Sequence, residues 1–130
     1  MSKFPKKERL NSRQRIASLV REGNTMRCYP FHVRWQVIPV PAGLFHMEAA
    51  FSVPRKKFRK AVRRNRIKRL MREAYRREKE AFKQHFSFQP RVVYLLIIYT
   101  PRKELPFSAV RSGMQKMFDK LKNSLAEETP

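Results

Sequence analysis

The sequence predicts an α+β domain in which amphipathic helices cover a β-sheet. Three observations carry this. Phe31 to Ile38 alternates with period two, setting Phe31, Val33, Trp35 and Val37 on one face and His32, Arg34 and Gln36 on the other; that is a strand with one buried face. Val92 to Tyr99 reads VVYLLIIY between Pro90 and Pro101, and its length and β-branched content make it a buried central strand. Val110, Met114, Met117, Phe118, Leu121 and Leu125 recur at helical spacing, so a helix starting near Ser108 lies on the sheet. With 130 residues, 42% of them hydrophobic, the chain supports a single domain with one modest core. That domain spans residues 1–130, with loose ends at about 1–7 and 127–130.

The other elements follow from local signals. A first helix runs from about Ser12 to Glu22, with Ser12 as N-cap and Gly23 in the left-handed closing position. Ile16, Ala17, Leu19 and Val20 share one of its sides. The prolines and glycine of PVPAG, Pro39 to Gly43, mark a turn. A second strand follows from about Leu44 to Val53 and pairs with the first as a hairpin. Arg59 to Phe82 is helical: Ile67, Leu70, Met71, Ala74, Tyr75, Ala81 and Phe82 share one arc, opposite Asn65, Lys68, Arg69, Arg72 and Arg76.

Charge points to function. The net charge is +21, from 31 Lys and Arg against 10 Asp and Glu. A compact domain so charged repels itself, which a polyanionic partner would offset. The charge is concentrated: residues 55–72 hold eleven basic groups and no acid. Solvated helix faces usually mix signs, because pairs at i, i+4 stabilise the helix. The later residues do mix, with Glu73, Glu78 and Glu80 among Arg76, Arg77 and Lys79; the earlier ones do not. Positive charge at a helix start also opposes the helix dipole, and bound phosphate would reverse the sign of that penalty. The candidate nucleic-acid contacts are therefore Arg55, Lys56, Lys57, Arg59, Lys60, Arg63, Arg64, Asn65, Arg66, Lys68, Arg69 and Arg72. Arg63 and Arg64 fall on the apolar side of the wheel, so the helix is expected to project past the core there, leaving both free to reach a ligand. A membrane-surface helix is the competing reading. Against it, the apolar face carries no Trp and is needed by the sheet.

The sequence offers little for protein-borne chemistry. Hydrolysis of a phosphodiester usually needs several carboxylates around metal ions, or paired histidines. Asp119 is the sole aspartate, the nine glutamates are scattered or interleaved with cations, and His32, His46 and His85 have no partner motif. No catalytic residue and no metal ligand is assigned. The lone Cys28 builds neither a disulfide nor a zinc site and reads as a small, half-buried residue. MSKFPKKERL has no apolar core, and no run is long enough to cross a bilayer, so a cytoplasmic location is expected.

The segment Ala61 to Arg72, AVRRNRIKRLMR, resembles the signature of the bacterial ribonuclease P protein family, with Arg64, Asn65 and Arg66 as its core triplet. AFSVPRKKFRKAV, from Ala50, and RLNSRQRIASLVREG, from Arg9, extend the resemblance over nearly the whole chain. It implies an α-β sandwich of order α-β-β-β-α-β-α, with a four-stranded sheet and a left-handed crossover at the basic helix, a fold also seen in ribosomal proteins. It further implies a subunit that assists a catalytic RNA in removing the 5′ leader of precursor tRNA, with Mg2+ held through the RNA; the residues themselves argue against a membrane partner and leave no spare apolar face for a protein partner. Leader contacts would fall on Ile16, Val20 and Arg34. Some positions depart from the family pattern. Ala50 stands where glycine is frequent, Pro54 where a small polar residue is, and Arg55 at the first of two positions usually held by lysine, Lys56 taking the second. Ile16 and Val20 stand at positions that are often aromatic in the family. A ribosomal or chaperone-type RNA-binding protein without a processing role, and a protein-only nuclease, are the competing readings.

Overall fold

The computed structural model describes residues 6–86 and 89–127. Its elements are a 3-10 turn Lys6–Glu8, α1 Arg13–Glu22, β1 Asn24–Cys28, β2 Phe31–Pro39, β3 His46–Ser52, α2 Ala61–His85, β4 Arg91–Tyr99 and α3 Phe107–Glu127. The four strands form one sheet in the order β1-β2-β4-β3. The expected loose ends lie largely outside the described residues; within them, Lys6 to Glu8 is ordered as the 3-10 turn.

The expected hairpin between Phe31–Ile38 and Leu44–Val53 does not form. β4 lies between them, antiparallel to β2 and parallel to β3. A strand apolar along its whole length gains most where both edges are paired and both faces covered. The loop from Val40 to Phe45 must then span the width of one strand, about 10 Å, and Val40 donates to the Pro90 carbonyl at 3.0 Å as it passes. Gly43 takes φ 120° within it. β2 forms its hairpin with β1, the strand that period-two reading left unplaced. The α-β-β-β-α-β-α order that the resemblance implies is present.

Helices cover both faces unequally. α2 and α3 pack on one face over Phe31, Val33, Trp35, Met47, Val93, Leu95 and Ile97, and α3 buries Val110, Met114, Met117, Phe118, Leu121 and Leu125, as its spacing predicts. α1 sits on the opposite face, where Leu10, Leu19 and Leu96 form a smaller cluster with Ile16, Ala50, Tyr94 and Ile98. Ser12 caps α1 by accepting from the Arg15 N–H at 3.1 Å. Gly23 closes it in extended backbone, φ −69°, not left-handed. Glycine is needed there for space: a Cβ would lie 2.5 Å from the Leu19 carbonyl oxygen.

The N-terminal segment is tied across the domain. Arg9 bridges Ala49 beside β3, and buried Glu8 reaches α2, where its carboxylate meets the buried Lys79 ammonium at 2.6 Å. Lys79 thus occupies the inner side of α2 while Ala81, expected on the apolar arc, is exposed.

Candidate nucleic-acid interface

The basic run begins as a loop and continues as a helix. Pro54 to Lys60 forms the loop, turned by Lys57 and Phe58 N–H bonds to the Pro54 carbonyl at 3.2 and 3.3 Å. Phe58, fully buried and tilted against Tyr99 with ring centroids 6.0 Å apart, nails the loop to the core. α2 starts at Ala61 with Lys60 at its N-cap; no side chain caps it, and no acid lies in its first turn. The Arg63 and Arg64 N–H groups bond back to the Lys60 carbonyl at 3.1 and 3.2 Å, which leaves those of Ala61 and Val62 beside the loop's cations, an arrangement that suits an anion.

The expected contacts divide into two groups. Arg55, Lys56, Arg59, Lys60, Lys68, Arg69 and Arg72 have no ion pair or side-chain hydrogen bond among the described residues. Asn65 is exposed beside them. The remaining four are held by the protein itself. Lys57 donates to the Thr100 carbonyl. One terminal nitrogen of Arg64 donates to the Phe58 and Arg59 carbonyls, both at 2.8 Å. Arg63 lies 5.0 Å over the Phe58 ring and donates from Nε to Glu104 at 3.0 Å. Arg66 donates to both oxygens of the same carboxylate, at 3.0 and 3.3 Å. Arg63 and Arg64 thus turn back onto the protein instead of overhanging it. The bonds from Arg63, then Arg66, hold the Glu104 carboxyl below the usual carboxylate range.

Sequence reasoning missed Phe58 and Glu104. Phe58 had a signal, being the one apolar residue between Arg55 and Lys60. Glu104 had none, since it lies far along the chain on the β4–α3 loop.

The resemblance-derived leader positions fall on the α1 side of the sheet. Arg34 stands between Thr25 and Leu96 in register, with Ala50 beyond. Ile16 packs on the same Leu96 cluster. Val20 is half exposed on α1. The neighbouring row is His32, Ile98 and Ser52, and two residues past Ser52 the chain enters the basic loop. Burial, and then Arg34 and Arg27, lower the His32 imidazole from its ordinary value and so disfavour its charged form there.

Among the described residues no three His, Cys, Asp or Glu side chains could hold a metal. A groove of about 400 Å³ between α2 and α3 is lined partly by Glu78, His85 and Asp119, but Glu78 is engaged by Arg111 at 3.3 Å and Gln115 at 3.0 Å. No helix among the described residues is long and apolar enough to cross a membrane.

Fold and charge together define a class: a four-stranded α+β domain whose parallel-strand crossover helix opens on a cationic loop. The family model described as Ribonuclease P matches residues 4–122, and the chain belongs to the ribonuclease P protein family. A Ribonuclease P protein component from Porphyromonas gingivalis is 38% identical over 117 residues, covering 85% of this chain and 80% of the relative. One from Thermotoga maritima is 31% identical over 122 residues, covering 94% and 92%. The solved T. maritima RNase P protein superposes with TM-score 0.67 at 24% identity, covering 87% of this chain and 96% of that one. The Staphylococcus aureus protein gives 0.64 at 18%, covering 88% and 95%.

Proposed function

We propose that the chain is the protein subunit of a ribonucleoprotein endonuclease, binding the catalytic RNA of ribonuclease P through the Arg55–Arg72 run and the 5′ leader of precursor tRNA beside α1. The observation that carries this is the set of cations that make no ion pair or side-chain hydrogen bond among the described residues, Arg55, Lys56, Arg59, Lys60, Lys68, Arg69 and Arg72, next to a helix start whose N-cap side chain makes no capping bond. Such a surface screens repulsion between two RNAs and is matched to phosphate. Arginine's planar fork adds bidentate contacts. The RNA, with its Mg2+, carries the cleavage; the polypeptide positions the substrate in the cytoplasm. Leader contacts separate precursor from mature tRNA, because the mature molecule lacks that segment.

Precursor tRNA cleavage at low magnesium tests this, with catalytic RNA alone, protein alone and both together. Restored cleavage only in the mixture is expected. Cleavage by the purified protein alone would make it the nuclease. RNA binding without restored cleavage would make it a general RNA-binding module.

A further inference from the structure

Glu104 is the acid that the basic run itself lacks. The loop that carries it is fixed by one buried phenol: the Tyr99 hydroxyl donates to the Lys103 carbonyl at 2.7 Å and accepts from the Leu105 N–H at 3.1 Å. The backbone on either side of Glu104 is thereby pinned to the core. Thr100, at the loop's start, donates its N–H to the Pro30 carbonyl at 2.9 Å. The Glu104 carboxylate, three-quarters covered, meets Arg63 through Nε and Arg66 through one terminal nitrogen. Arg63 keeps both terminal nitrogens and Arg66 keeps Nε and the other terminal nitrogen for a ligand. The Phe58 ring holds the Arg63 plane from the second side.

We propose that Glu104 is a positioning residue that sets specificity: it aims the Arg63 and Arg66 forks at a phosphate pair of fixed spacing in the catalytic RNA, and its charge discounts RNA lacking that spacing. This rests on the function proposed above. Freely rotating arginines would bind any polyanion, whereas forks held in place lose less freedom on binding the matched one. The neighbouring unpaired cations supply generic attraction; Glu104 trims it.

The test measures affinity of the full chain for ribonuclease P RNA and for unstructured polyuridine of equal length, at one salt concentration. Glu104→Gln should weaken the first about tenfold, a loss matched to two released side chains, and should strengthen or preserve the second. Glu104→Asp, which keeps the charge, should restore part of the preference. Tyr99→Phe, which frees the loop without changing charge, should lower the preference in the same direction and serves if Glu104→Gln does not fold. Affinities that rise together would reduce Glu104 to a repulsive charge and overturn the proposal; so would unchanged affinities. Wild-type protein with no preference for the catalytic RNA would overturn the underlying function, a result distinguishable from failure of Glu104 alone.

Discussion

Replacing Arg59, Lys68, Arg69 and Arg72 together by glutamine removes cations that make no ion pair or side-chain hydrogen bond among the described residues. The fold's own contacts stay in place, so a binding change reads the interface and not the stability. Each phosphate contact contributes about 0.7 to 0.9 to the slope of log affinity against log salt. If all four side chains touch phosphate, the slope should flatten by about three. The assay is equilibrium binding of the catalytic RNA across about 0.05 to 0.2 M monovalent salt, with circular dichroism to confirm the fold. Arg64→Gln is the contrast. Arg64 holds two loop carbonyls, so its loss should weaken binding while moving the slope by about one at most. The quadruple variant also lowers a net charge of +21 by four, so its Tm should hold or rise as self-repulsion eases. A folded quadruple variant with an unchanged slope refutes the assignment of this face to phosphate.

The other predictions concern the fold's anchors and the second face. Glu8→Ala deprives buried Lys79 of its carboxylate and should cost about 3 kcal/mol in urea unfolding, whereas Glu8→Leu with Lys79→Met should be near neutral; a loss below about 1 kcal/mol for the single change contradicts a buried pair. Glu73 is held down to about 2 from the ordinary 4.5 by hydrogen bonds from Arg76, then Arg77. A depressed carboxylate stabilises the fold above its unfolded value and loses that contribution as pH falls through the folded one. Glu73→Gln should thus flatten the decline in Tm between pH 4.5 and about 2, and an identical decline in both proteins would show that the pair contributes nothing. Val20→Asp should weaken precursor tRNA binding and spare mature tRNA, with equal losses placing the leader elsewhere. Ile16→Asp is the less clean variant, because Ile16 also packs on Leu10, Leu19 and Leu96.

What the sequence made legible was what is written locally. Period-two alternation set Phe31, Val33 and Trp35 inward and the helical spacing of α3 set its whole core stripe, because each face buries against whatever lies opposite. Strand partners are not local. PVPAG supports a tight turn equally well whether or not another strand enters beside it, and β4, which starts 48 residues after Gly43, decides the question by needing both edges. The same limit explains Ala81 and Lys79. A helical wheel assumes that the buried arc is apolar, yet Glu8, brought alongside by the Arg9–Ala49 bridge, makes a buried lysine the better fit.

The candidate site shows the limit most clearly. Density of charge identified the segment, and the triplet Arg64, Asn65 and Arg66 identified the family. Neither distinguishes a cation free for a ligand from one already spent on the fold, because that depends on acceptors contributed from elsewhere. Arg64 is spent on Phe58 and Arg59 and Lys57 takes the Thr100 carbonyl, while Arg63 and Arg66 share Glu104 through part of each fork and keep their other nitrogens for a ligand. These four give the cationic loop and first helical turn a fixed shape. The unpaired cations around them then act from a rigid frame, so that their positions and not only their number carry information to an RNA partner.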